Sequence, residues 1–256
     1  MLLAMDMGNT NILAGVFDGS RLVCTMRAHT ARWRTADEWA VLLRDILSLQ
    51  NLSAKDITAA IVSSVALPVT GALGGGMKLL FGKAPIVVGP GVKTGLDIVI
   101  DNPAQLGSDM VCNAVAARSY CRNDVIIFDM GTATTMSVID AKGRFAGGAI
   151  MPGLNTSLEA LGEKTAQLPK ISLDTPARVV GTNTVDCMRS GSVFGWASML
   201  DGMAARVEEE MGRPFTVFAT GGLSECIVPH MRHQVRHEPA LLLEGLRLIY
   251  EKNLDV

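Results

Sequence analysis

Aromatic residues are scarce in this 256-residue chain: seven phenylalanines, three tryptophans and two tyrosines, 5% in all. Proteins that hold single-stranded nucleic acid stack its bases on exposed rings, and this chain has few to offer. A basic surplus is also missing, since 23 lysines and arginines stand against 25 acidic residues, for a net charge of −2. The electrostatic footprint of a nucleic-acid binder is therefore absent. The five cysteines (Cys24, Cys112, Cys121, Cys187, Cys226) are odd in number, scattered and without a C-x-x-C pair. That pattern reads as reduced core thiols, not as a disulfide framework. No Walker A loop is present: Gly82-Lys83 runs into Ala84 and lacks the upstream glycine, and there is no G-x-G-x-x-G. Long apolar runs are few. One uncharged stretch, Thr58 to Met77, has the 20-residue length of a membrane span. Its Pro68, Gly71, Gly74, Gly75 and Gly76 make it read as a buried strand followed by a loop. Only five residues precede Asp6, too few for a signal-peptide core. The expectation is a soluble, cytoplasmic protein.

What the chain does have is apolar mass. Apolar residues make up 48% and charged residues 19%, enough for one large core or two smaller ones and too much for disorder. It also has a repeat. DMGNTN follows the short apolar run MLLAM at Asp6, and DMGTATT follows VIIF at Asp129, 123 positions later and close to half the length.

Each copy opens a similar series. In the first half LLAMD, NILAGVFDG and RLVCTMRAH read as strands with a tight turn at Asp18-Gly19. A helix follows, with Thr35 as N-cap, Glu38 as capping-box partner and Trp39, Leu42, Leu43, Ile46 and Leu47 at helical spacing. AAIVSSV and APIVVG read as buried strands, and Pro103 as the first turn of a helix reaching Arg118, capped by Asn102. The second half repeats strand, turn (Lys142-Gly143) and strand. Helices follow in SLEALGEKTAQL and from about Val185 to Met211, then the strand TVFATGG and a terminal helix ALLLEGLRLIYEKN. This predicts a duplicated α/β unit, divided as residues 1–117 and 118–256.

An Asp-x-Gly turn behind a buried strand has definite chemical uses. Glycine admits close approach of a ligand. The hydroxyl and amide groups of Asn9, Thr10, Asn11, Thr132, Thr134 and Thr135, with neighbouring backbone N–H groups, can cradle phosphate oxygens. An aspartate at the strand end can hold hydrated Mg²⁺ or another cation. Two such turns facing each other across a cleft would grip a polyphosphate from both sides.

The paired turns resemble the acetate and sugar kinase/heat-shock-70/actin superfamily, which is built from two ribonuclease-H-like halves around an interdomain nucleotide cleft. Within it the chain resembles the type III pantothenate kinases nearly end to end. The matching stretches are DMGNTNILAGVFDG, TGLDIVIDNPAQLGSD, DVIIFDMGTATT, GGAIMPGLNTSLEALGEKTAQLP, GTNTVDCMRSG, ATGGL and LLLEGLRLIYEKN. The resemblance implies ATP-dependent phosphorylation of the pantothenate 4′-hydroxyl, the first step toward coenzyme A. It implies that Asp6, Met7, Gly8, Asn9, Thr10, Asn11, Ile12 and Leu13 form the first ATP loop and that Thr132 contacts ATP from the second. Asp129 resembles a ligand for a monovalent cation, potassium or ammonium, in addition to the Mg²⁺ that accompanies ATP. Asp109 resembles the general base. Ile100, Gly107, Ser108, Asp109 and Met110 match the substrate loop. Thr184 matches a pantothenate contact donated by the second subunit of a homodimer, and also reads as a helix N-cap.

Some positions depart from the family pattern. Gly107-Ser108-Asp109-Met110 stands where the family usually reads Gly-Ala-Asp-Arg, and a thioether cannot pair with the pantothenate carboxylate. A charged hydrogen bond contributes roughly 1.5–3 kcal/mol, so its loss weakens binding by about ten- to a hundred-fold. Ile100 replaces a common aromatic, and Ser137 a common aspartate. Arg189, where the family has glutamine, is a candidate substitute for the missing arginine. Met110 also keeps two alternatives open: a related kinase or phosphohydrolase with another small substrate, and a non-catalytic nucleotide-binding regulator. His230, His233 and His237 have metal-compatible spacing on a helix, but Arg232 and Arg236 interleave with them and Pro229 and Pro239 bracket them.

Overall fold

The computed structural model describes residues 1–254, the side chains of residues 67 and 68 excepted. Strand β1 (Leu2–Met7) pairs antiparallel with β2 (Asn11–Asp18), and β2 with β3 (Arg21–His29). The β2–β3 turn falls at Asp18-Gly19 as predicted, with Gly19 at a φ of 59°, a conformation that strains a side chain. Helix α1 (Ala36–Leu49) begins in the predicted capping box: the Glu38 N–H donates to Thr35 Oγ1, and the Thr35 N–H donates to the Glu38 carboxylate at 2.7 Å. It carries the chain across to β4 (Ala59–Ser64), which lies parallel to β1. Helix α2 (Leu67–Phe81) then returns it to β5 (Ile86–Val87), parallel to β4. The sheet order is β3-β2-β1-β4-β5.

After β6 (Asp97–Ile98) and α3 (Ser108–Tyr120) the pattern repeats. Strands β7 (Val125–Met130), β8 (Ala133–Ile139) and β9 (Arg144–Pro152) form a meander. Helices α4 (Leu154–Lys164) and α5 (Thr184–Met211) lead to β10 (Thr216–Thr220), parallel to β7. Short α6 (Ser224–Ile227) precedes β11 (Val235–His237), parallel to β10, and α7 (Leu241–Lys252) ends the chain. The order β9-β8-β7-β10-β11 copies the first sheet strand for strand, with β6 added beside β9. Even the burial of β1 and β7 is identical: four buried residues, a half-buried aspartate, a buried methionine. Each sheet is a ribonuclease-H-like unit, so the duplication is plain in topology although the halves share little sequence.

The compact units are Met1–Leu96 with Asn102–Ala116 and Leu241–Val256, and Asp97–Asp101 with Ala117–Ala240. A single cut after residue 117 lies next to the Ala116–Ala117 division but misses two exchanges: β6 pairs with β9, and α7 packs over β1, β4 and β2. In the first unit, Leu3, Met5 and Met7 pack with Trp39, Leu43 and Leu47 of α1 and with Val69, Leu73 and Met77 of α2. In the second, Ile126, Phe128 and Met130 pack against Leu154 of α4, Ala197 and Leu200 of α5 and Ile227.

Three expectations need correction. The glycine-rich stretch after β4 is helix α2, not a loop. A Cβ on Gly76 would lie 2.6 Å from the Ala36 carbonyl and 2.7 Å from Trp39 Cβ, so the glycine exists for close packing against α1. Pro103 opens only a short 3-10 turn (Pro103–Gln105), and α3 starts five residues later, at Ser108. Residues 165–168 continue as irregular chain, because α4 ends at Lys164. Among the described residues, no helix is long and apolar enough to cross a membrane, since the uncharged run divides between β4 and α2.

Candidate active site

The first repeated turn joins β1 to β2. Met7 pairs with Ile12, and between them the Gly8 N–H donates to the Asn11 carbonyl at 3.1 Å. Thr30, just after β3, braces the turn: its hydroxyl donates to the Gly8 carbonyl at 2.8 Å and its N–H to the Thr10 carbonyl at 2.9 Å. Asn9, Thr10 and Asn11 are exposed, whereas Met7 and Ile12 point into the core. Those two residues can offer a phosphate only their backbone. Asp6 and Ser63 are register partners on neighbouring strands and so share one face of the sheet.

The proposed base lies on that face. Asp109 is half-buried in the first turn of α3, and the Met110 N–H donates to its Oδ1 at 2.8 Å. Burial raises its pKa above the ordinary aspartate value, and the hydrogen bonds from Met110 and from its own backbone only partly offset this. A side chain on Gly107 would strike this carboxylate. Behind it Cys112 is fully buried, its thiol pushed well up by desolvation and then by the Asp6 and Asp109 charges. Asp6 on β1 and Asp109 on α3 thus both lie within electrostatic reach of the Cys112 thiol.

The second turn joins β7 to β8 and is one residue shorter, since Met130 pairs with Thr134. The Gly131 N–H donates to the Ala133 carbonyl at 3.0 Å. The brace here is the start of α4, where the Gly153 N–H and the Thr156 hydroxyl both donate to the Thr132 carbonyl, at 3.2 and 2.8 Å. A side chain on Gly153 would collide with that carbonyl. Thr132 is exposed and Thr135 half-buried, but Thr134 is completely buried and cannot reach a ligand. The shorter loop puts Thr134 where the first turn has buried Ile12. Asp129 is half-buried beside the TGG loop after β10: a Cβ on Gly221 would lie 2.6 Å from Asp129 Oδ1. Only a glycine lets the TGG loop pack this closely against the Asp129 carboxylate.

Other expected positions fare unevenly. Thr184 is exposed at the first position of α5, and the capping role belongs to Asn183, whose side chain accepts from the Asp186 N–H at 2.9 Å. Thr184 lies on the rim of an open groove of about 390 Å³ lined by Leu158, Leu161, Leu168, Met188 and Trp196. Arg189 is already occupied. It pairs with Asp174 at 2.7 Å and donates to the Ser172 hydroxyl at 2.8 Å, which pins the 172–183 segment to α5. Ile100 lies just beyond β6 in the second unit, whereas Gly107, Ser108 and Met110 belong to the first. The histidines do not form a helical ligand set. His233 pairs with Asp201 at 3.0 Å, His237 meets Ser224 Oγ at 2.8 Å and His230 meets Thr175 Oγ1 at 3.2 Å. Among the described residues no His/Cys/Asp/Glu cluster could hold a metal. Cys187 is exposed, not a core thiol.

Sequence reading alone missed Thr30, Gly153, Thr156 and Gly221. The last three sit inside stretches already conspicuous for their glycines, but the first had no signal, because it braces a turn twenty residues upstream.

Two ribonuclease-H-like units of identical strand order, each with an aspartate and a glycine turn at the end of its central strand, define a member of the acetate and sugar kinase/heat-shock-70/actin superfamily. Solved structures agree on the fold. A Campylobacter jejuni protein described as a Baf family transcriptional activator superposes with a TM-score of 0.60 at 18% identity, over 99% of this chain and 100% of its own. The Clostridium difficile activator of 2-hydroxyisocaproyl-CoA dehydratase gives 0.57 at 12% identity, over 100% and 97%. The type III pantothenate kinase family model matches residues 2–206. Type III pantothenate kinases of an Exiguobacterium species and of Geobacter sulfurreducens are 45% and 42% identical, covering 99% and 100% of both chains respectively. This chain belongs to the type III pantothenate kinase family, the kinases that phosphorylate pantothenate in coenzyme A biosynthesis.

Proposed function

We propose that this chain transfers the γ-phosphoryl group of ATP to the 4′-hydroxyl of pantothenate with Asp109 as general base. The observation that carries the reading is the half-buried Asp109 carboxylate, held by its own helix N-terminus and gathered with Asp6. The pantothenate oxygen forms a bond to the γ-phosphorus, the bond to the ADP oxygen breaks, and the hydroxyl proton passes to Asp109. A raised pKa makes the carboxylate a stronger base for that proton. Because phosphoryl transfer has a loose transition state, most of the benefit comes from holding the hydroxyl in line.

The exposed Asn9, Thr10 and Asn11 side chains and the backbone from Asp6 to Leu13 take ATP phosphate oxygens, and Thr132 takes others. Asp6 would hold the hydrated Mg²⁺ that accompanies ATP, and the ion would offset phosphate charge. Asp129, a half-buried carboxylate at the end of β7, would hold a monovalent cation, potassium or ammonium. Thr184 reaches pantothenate across a cytoplasmic homodimer. Met110 favours a second reading, a related hydroxyl substrate without a carboxylate, which a substrate screen separates from the first.

The test is ADP release from ATP and Mg²⁺, with and without pantothenate, in potassium and in sodium, for the native chain, Asp109→Asn and Asp129→Asn. Pantothenate-dependent turnover that needs potassium, disappears in Asp109→Asn and loses its potassium response in Asp129→Asn is expected. ATP binding without pantothenate-dependent turnover would overturn the reading.

A further inference from the structure

Ser108 precedes the base by one residue, and its hydroxyl is engaged inside the protein. The Ser64 N–H donates to Ser108 Oγ at 3.1 Å, the Ser63 and Ser108 hydroxyls lie 2.9 Å apart, and the Ser64 carbonyl accepts at 3.3 Å. A hydroxyl has one proton to donate and two lone pairs to fill. The Ser64 N–H donates into Ser108 Oγ, and the single Ser108 proton has the Ser63 hydroxyl or the Ser64 carbonyl to go to, so Ser108 is committed to β4.

Its partners are themselves fixed. Ser63 is fully buried, neighbours Asp6 across the β1–β4 register and bonds the Cys112 thiol one turn further along α3. Ser64 Oγ accepts from the Thr70 hydroxyl of α2 at 2.7 Å and from the Ala66 N–H at 3.2 Å. The chain from Cys112 through Ser63 and Ser108 to the Ser64 carbonyl thus crosses from α3 to β4 and back.

We propose that Ser63 and Ser108 form a hydroxyl clamp that positions Asp109, fastening the first turn of α3 to the end of β4 beside Asp6. This inference rests on Asp109 being the base. The two serines are positioning residues and touch no reacting atom. Misplacing a reacting group by about 1 Å costs on the order of a hundred-fold in rate, so the clamp belongs in kcat and not in ATP affinity.

The experiment is steady-state turnover of the full chain as Ser108→Ala, Ser63→Ala, the double variant, Ser108→Thr and Asp109→Asn, with a thermal midpoint for each. Each alanine variant is expected to lower kcat about ten-fold or more with KM for ATP within about twofold. The double variant should be no worse than the more damaging single one, as for two parts of one device. Ser108→Thr, which keeps the hydroxyl, should recover most of the loss. Wild-type kcat in both single variants would overturn the clamp, as would losses that multiply in the double variant or merely follow the thermal midpoint. If Ser108→Ala does not fold, Ser63→Ala and Ser108→Thr carry the test. Normal turnover in Asp109→Asn sinks the base assignment whatever the serines do; an inactive Asp109→Asn beside unaffected serine variants sinks the clamp alone.

Discussion

On the proposed reading, Asp109 serves chemistry at the expense of folding. Its folded-state pKa is raised, so the folded chain holds the proton more tightly than the unfolded one. The associated stability is fully present below the unfolded pKa and is lost as pH rises through the folded pKa. Asp109→Asn should therefore show a thermal midpoint at neutral pH equal to or above that of the native chain, while turnover falls at least about a hundred-fold. The native rate should decline on the acid side as pH falls through a pKa above the ordinary aspartate value, and a pH–rate profile reads this directly. Met110 is the other decisive residue. Arg189 is held by Asp174 and Ser172, so on the proposed reading it does not stand in for the arginine that Met110 replaces. Met110→Arg is expected to lower KM for pantothenate by about ten-fold or more. Arg189→Ala should leave that KM within about twofold, measured with ATP saturating.

At the scale of elements, α2 shows why glycine content alone misleads. Its glycines read as loop because glycine costs about 1 kcal/mol in a helix relative to alanine. The helix forms because tertiary packing outweighs that cost: Leu73 and Met77 are wholly buried, and Gly76 lets α1 approach its backbone. Gly71 has nothing within 4 Å of a Cβ. Gly71→Ala should thus stabilise by about 0.5–1 kcal/mol, whereas Gly76→Ala should destabilise by about 1–3 kcal/mol, as overpacking does. Denaturant melts of the two variants, with opposite signs, check the account. The capping box of α1 was legible from Thr35 and Glu38 because both its partners lie within four residues. The start of α3 was not, because Ser108 is held by Ser63 and Ser64, more than forty positions away.

For the molecule as a whole, the terminal helix matters most. Gly245 of α7 sits so close to the Cys112 carbonyl of α3 that any side chain there collides, and Leu243 fills the space over Gly15 of β2. The last segment of sequence thus completes the first unit. Deleting residues 241–256 should raise hydrogen exchange in β1 and β4 well above that in β7 and β10. Uniform loss of protection in both sheets, or none in either, would count against this assignment.

By itself the sequence determined the duplicated turn, the strands and hairpins of both meanders, the capped first helix and, through its motifs, the kinase family. These depend on neighbours a few residues apart or on patterns that repeat. The tertiary structure alone decided that Thr134 is buried, that Arg189 belongs to Asp174, that α7 completes the first unit and that serines on β4 hold the first turn of α3. Each of these depends on contacts between residues far apart in the chain, whose partners only the packing of strands and helices selects.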